Sequence, residues 1–170
     1  MNKYKKLITK QALFWLLVCA LICAIYLLSG QEGAVSHRLS RGLVKKASRL
    51  IELPGVLKYY SKELNLSYDF VLRKIAHFSL FFILALLLFF VIKPLTTKHV
   101  RILTITCCII FAFMDEYHQV FISGRTARFT DIMIDTAGAI CGMLLVMIAT
   151  GIRRGNIQKK KRTVGTKFLR

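Results

Sequence analysis

His77 follows Lys74 by three residues in LRKIAHFSLFF, and two adjacent carboxylates, Asp115 and Glu116, stand in FMDEYHQV. Gln119 lies four residues beyond Asp115, Arg125 falls in the polar stretch after it, and Asp131 and Asp135 are again four apart. Such residue types support three kinds of role. An imidazole beside carboxylates can act as acid and base, with His77, Asp115 and Glu116 as the catalytic candidates, or bind a metal together with Asp131 and Asp135. The cations Lys74, His77 and Arg125 can instead hold a lipid or phosphate anion while the acids orient them. In the third role Arg125 and the carboxylates form an ion-pair network that locks a bundle. No hydrolase signature selects chemistry. Lys74, His77, Asp115, Glu116, Gln119, Arg125, Asp131 and Asp135 therefore stand as a candidate ligand-binding set, and no metal or cofactor is assigned.

Elements that could bring these residues together are long and apolar. A bilayer's hydrocarbon core takes about 20 apolar residues in helix. Four stretches approach that length, over about residues 11–28, 70–92, 100–122 and 130–151. The first follows the basic segment Met1–Lys10, as a signal peptide would. Its length and the lack of an A-x-A site after Ser29 predict an uncleaved anchor. The last two stretches are joined by a short turn, which predicts a helical hairpin. The fold class is all-α: a membrane bundle of four transmembrane helices with an interfacial helix in the first loop.

Helix geometry places the polar residues at one depth. At 1.5 Å per residue, Asp115 is about 21 Å from Arg101, His77 about 24 Å from Lys93, and Asp135 about 27 Å from Arg153. Residues three or four apart share a helix face, so each span presents its polar pair together. Gly138 and Gly142, in G-x-x-x-G spacing beyond Asp135, let another helix approach closely. Charges inside a span are costly unless they face protein or water, so the cluster is a functional candidate.

Basic residues set the orientation. The N-terminus, the connection holding Lys93, Lys98 and Arg101, and the tail from Arg153 carry 15 of the 26 Lys and Arg residues. Short segments outweigh long loops, so both termini are expected in the cytoplasm and the cluster in the outer leaflet. Residues 1–10 then form a basic cytoplasmic N-terminus, 11–151 the membrane domain with an outer loop over 29–69, and 152–170 a basic cytoplasmic tail. Within that loop, apolar Leu39, Leu43, Ala47, Leu50 and Ile51 recur at helical spacing between Arg38, Arg41, Lys45, Lys46 and Arg49. The pattern predicts an amphipathic helix over Ser36–Leu53, lying on anionic headgroups or packed on the bundle and ended by Pro54-Gly55.

Composition agrees. The chain is 55% hydrophobic with mean hydropathy +0.54, yet Lys plus Arg outnumber Asp plus Glu by 26 to 8. Because the basic residues separate apolar runs, anionic lipid is the expected partner and nucleic acid is not. Cys19, Cys23, Cys107, Cys108 and Cys141 all lie in apolar runs and are expected as small buried hydrophobes, without Cys–His metal spacing. His37, His99 and His118 lack recurring partners and are expected at the surface or in packing.

In these segments the chain resembles the VanZ-like family of bacterial membrane proteins. The resemblance runs over about residues 22–150 through IYLLSGQEGAVSHRLSRGLV, LRKIAHFSLFFILALLL and DEYHQVFISGRTARFTDIMIDTAGAICG. It matches Ser29 and Gln31 loosely, Ser36 and Ser40, then Lys74, His77 and Phe78. It continues through Asp115, Glu116, Gln119, Gly124, Arg125, Asp131, Asp135, Gly138 and Gly142. Two departures are visible: Ser123 stands where members often have Pro, and Gly30 interrupts the Ser-Gln step, which leaves Ser29 outside the expected site. The resemblance implies a role in the bacterial envelope, since the founding member is linked to low-level resistance to teicoplanin-type glycopeptides. Partners are then membrane lipids, a lipid-linked envelope precursor, or envelope proteins. The expected function is binding or modulating such a lipid; a membrane enzyme on a lipid or isoprenoid phosphate and a structural envelope partner are the alternatives.

Overall fold

The computed structural model describes residues 3–31, 68–96 and 98–167, with residues 38 and 42 besides. Four helices account for nearly all of them: α1 (Lys3–Ser29), α2 (Tyr68–Ile92), α3 (Val100–Gln119) and α4 (Phe129–Lys167). No strand occurs among the described residues. The interfacial helix expected over Ser36–Leu53 falls outside them, apart from residues 38 and 42.

Leu, Ile, Phe, Val and Ala fill the apolar runs. In an apolar environment the backbone must satisfy its own hydrogen bonds, which a helix does within one segment. Among the described residues three helical stretches are long and apolar enough to cross a membrane: Leu7–Ser29, Phe70–Ile92 and Phe129–Ile152. The chain is a membrane protein with several spans. α3 carries Arg101, Asp115 and Glu116 and is not among the three. It is also shorter than the stretch expected over 100–122. After Gln119 the chain tightens into i→i+3 bonds, with Val120 N–H donating to Tyr117 O and Ile122 N–H to Gln119 O, at 3.2 and 3.1 Å. At its other end α4 continues as helix to Lys167, past the apolar stretch that ends at Ile152.

Successive helices alternate in direction. Near one end of the bundle Gln11 on α1 donates through Nε2 to the carbonyl of Val91 on α2 at 2.9 Å, and the Phe14 and Phe90 rings stack at 5.1 Å. At the opposite end the C-terminus of α1 meets the C-terminal turns of α3. Pro94 lies in the turn that follows α2.

α4 makes its most extensive contact with α2. Glycine permits this. A β-carbon at Gly138 would collide with the Phe78 carbonyl, and one at Gly142 would lie 2.6 Å from the carbonyl oxygen of Phe82. The close approach of G-x-x-x-G is thus to α2, two elements away in the hairpin order, rather than to neighbouring α3. Where lipid replaces water, apolar burial adds little between helices, and close packing and hydrogen bonds hold them. α3 follows the same rule with Thr104, Cys108 and Ala112 on its buried face.

Among the cysteines only Cys108 is buried; Cys107 is half-buried, and Cys19, Cys23 and Cys141 are exposed on the outer faces of their helices. The expectation of five buried thiols was wrong for these three. An apolar sequence context in a membrane protein marks a lipid-facing surface as readily as a core.

Candidate functional site

The buried face of α3 runs Val100, Thr104, Cys108, Ala112, Asp115, Glu116 and Gln119, in steps of three or four apart from the adjacent Asp115 and Glu116. Its last turns carry charge into the interior because they continue the stripe that packs the helix. Asp131 and Asp135 enter from the first turns of α4, and Lys74 and His77 from the start of α2. Four of the chain's eight acidic residues are gathered here, and all four are buried: Asp115, Glu116, Asp131 and Asp135. Gln119 is buried with them.

Each expected residue has a definite place. Lys74 forms an ion pair with Asp131 and lies over the Phe70 ring, 4.9 Å from its centroid. Nδ1 of His77 lies 3.3 Å from Oδ1 of Asp135. The two are not aligned as a hydrogen bond, and neither oxygen of the fully buried Asp135 has a hydrogen-bond partner among the described residues. Asp115 Oδ2 accepts from Ser29 Oγ at 2.9 Å and from Gln119 Nε2 at 3.1 Å. Glu116 Oε2 accepts the Arg128 backbone N–H at 2.7 Å, which ties α3 to the residues entering α4. Its Oε1 is buried without a hydrogen-bond partner among the described residues.

Arg125 behaves differently from the expected ion-pair hub. Its guanidinium reaches the end of α1, where Nε donates to Gln31 O at 3.2 Å and Nη2 to Leu28 O at 3.4 Å. The last carbonyls of a helix lack internal partners and carry partial negative charge, so a cation is stabilised there. Gly124 makes the reach possible: at φ 72° it holds the left-handed turn that precedes Arg125. Burial and then the nearby Arg73 press the Arg125 pKa down from its ordinary value, and Asp115 and Glu116 offset them.

Three further residues belong to the cluster. Ser29 joins through Asp115 despite the intervening Gly30. Arg73 has a buried Nε without a hydrogen-bond partner among the described residues, and Arg128 contributes both its backbone N–H and its side chain. Arg73 had a sequence signal, since it precedes His77 by four residues and shares its helix face. His118 is held apart from the cluster, its ring stacked 4.0 Å from that of Tyr26, and His99 is exposed before α3. His37 lies outside the described residues.

Two spaces open at this end. A polar cavity of about 90 Å³ is lined by Arg73, Lys74, His77, Arg125 and Arg128, with Gln119 and Asp131. An apolar groove of about 320 Å³ lies between α1 and α3, lined by Ile22, Ile25, Tyr26, Phe111, Met114 and Phe121, with Asp115 also in its wall. The hydrogen-bonded pair Gln119–Asp115 lies between them, one residue lining each space.

The fold and the cluster define an all-helical membrane protein of several spans with its buried charges gathered at one end of the bundle. Residues 14–150 match the sequence profile of the VanZ/LLP1 family, and the chain belongs to that family. No curated protein and no solved structure matches the chain.

Proposed function

We propose that the chain binds the phosphate-bearing headgroup of a membrane lipid, or of a lipid-linked envelope precursor, in the cavity lined by Arg73, Lys74, Arg125 and Arg128. The observation that carries this reading is the closeness of that cationic cavity to an apolar groove, the two set apart by the hydrogen-bonded side chains of Gln119 and Asp115. Phosphate oxygens take charge-assisted hydrogen bonds from guanidinium and ammonium groups. A lipid tail takes the apolar groove. Lys74, His77, Asp115, Glu116, Gln119, Arg125, Asp131 and Asp135 form the site, with Asp131 orienting Lys74.

In this reading α3 is the fourth span: its 20 residues cover about 30 Å, with the charged stripe turned to protein. Both termini lie in the cytoplasm of a bacterial cell, and the site opens to the outer face of the cytoplasmic membrane. Residues 1–10 and 152–170 flank the membrane domain of 11–151. Altered susceptibility to teicoplanin-type glycopeptides is a consequence of holding an envelope lipid there.

Mass spectrometry of lipid extracted with the purified protein tests the reading. An anionic phospholipid or isoprenoid-linked phosphate should be enriched over its share of the membrane, and His77→Ala and Asp115→Asn should lose it while remaining in the membrane. Disappearance of both variants from the membrane would instead favour the ion-pair lock. A second reading, an enzyme on a lipid or isoprenoid phosphate, draws on His77 lining the cavity with Asp135 at 3.3 Å. Release of phosphate or a cleaved headgroup from added lipid would establish it.

A further inference from the structure

Asp135 is 0% exposed, and both its oxygens lack hydrogen-bond partners among the described residues. A buried carboxylate without partners is costly, and a second carboxylate beside it raises the cost further. One atom each from His77, Asp115 and Asp135 nevertheless lies within 4.8 Å of the other two. The lysine and arginines around them do not relieve Asp135. Lys74 is paired with Asp131, and Arg125 with the carbonyls of Leu28 and Gln31.

We propose that His77, Asp115 and Asp135 form a binding site for one divalent transition-metal ion of the Zn²⁺ class. The spacing fits. An ion equidistant from three atoms at that outer limit sits about 2.8 Å from each, and side-chain rotation of under an ångström brings this to the roughly 2.0–2.2 Å of zinc–nitrogen and zinc–carboxylate bonds. His77 Nδ1 and Asp135 Oδ1 are 3.3 Å apart without hydrogen-bond alignment, a separation that suits two ligands on one tetrahedral ion. The mixed nitrogen and oxygen set favours Zn²⁺ over Mg²⁺, which prefers oxygen alone.

The ligands are held as metal ligands are. Ser29 and Gln119 both donate to Oδ2 of Asp115, which orients the carboxylate. An ion here leaves a coordination position for water or a ligand oxygen on the side where His77 lines the polar cavity. The proposal goes beyond headgroup binding and does not depend on it.

The test uses the full chain, tag-free, in detergent without added phospholipid. After dialysis against chelator, Zn²⁺ is returned, bound metal is measured by elemental analysis, and the apparent melting temperature is followed. The expected result is one zinc per chain, with a rise in melting temperature that Mg²⁺ does not reproduce. Asp135→Asn and His77→Ala should weaken binding well beyond tenfold, Ser29→Ala about tenfold, and Asp131→Asn little. No zinc uptake and no thermal shift in the folded wild type would overturn the proposal, whatever the variants do. So would zinc binding by folded Asp135→Asn as tight as wild type. Because phospholipid is absent, failure here leaves headgroup binding standing, and loss of headgroup binding leaves this result unchanged.

Discussion

Ser29, the last residue of α1, donates its hydroxyl to Asp115 on α3 at 2.9 Å. This bond joins the first helix to the charged end of the bundle, with Arg125 gripping the same helix terminus from the α3–α4 turn. Ser29 is 5% exposed, so water replaces the bond poorly once it is removed. Ser29→Ala should therefore destabilise the protein by roughly 1–2 kcal/mol. Thermal unfolding in detergent measures this, and Ser29→Thr, which keeps the hydroxyl, should restore much of the loss.

The α2–α4 contact gives a second expectation. Gly138→Ala puts a methyl group into the backbone of Phe78, where no flexible side chain can yield, and should cost about 2 kcal/mol or more. Gly142→Ala, at 2.6 Å from Phe82 O, should also destabilise. Gly151→Ala meets nothing within 4 Å among the described residues and should be neutral or stabilising by up to about 1 kcal/mol. Comparing the three melting temperatures separates a packing effect from a general effect of replacing glycine in a helix.

Much of this architecture was legible in the residues because helix rise and period convert spacing into depth and face. Arg101 and Asp115, Lys93 and His77, and Arg153 and Asp135 each fix a height along a helix, so convergence of the charged groups could be read from counting. The partners of those groups could not. Spacing says that Gly138 and Gly142 share a face, but the approach of Phe78 and Phe82 is a property of how helices cross. The hairpin predicts Arg125 as a counterion, because it brings the carboxylates of both its helices near the turn; the partners of Arg125 are instead carbonyls that every helix end exposes and no sequence pattern marks. Ser29 was set aside because Gly30 breaks the Ser-Gln step, yet Gly30 follows the helix, where an insertion does not move the serine off its face.

Orientation has its own check. Ser123 is exposed in the turn between α3 and α4, next to the charged cluster. In a cysteine-free version of the chain, Ser123→Cys should react with a membrane-impermeant maleimide added to intact cells. Reaction only after the cells are permeabilised would place the cluster on the cytoplasmic side.

Headgroup binding is tested most directly by native mass spectrometry of the detergent-purified chain with phosphatidylglycerol or phosphatidylcholine added. The wild type should retain one phosphatidylglycerol and little phosphatidylcholine. Arg73→Gln combined with Arg128→Gln removes two cations from the cavity and should lower phosphatidylglycerol occupancy by about tenfold or more, since each charge-assisted bond is worth upwards of about 1.5 kcal/mol. Equal retention of the two lipids, or undiminished phosphatidylglycerol on the double variant, would contradict a headgroup site in this cavity.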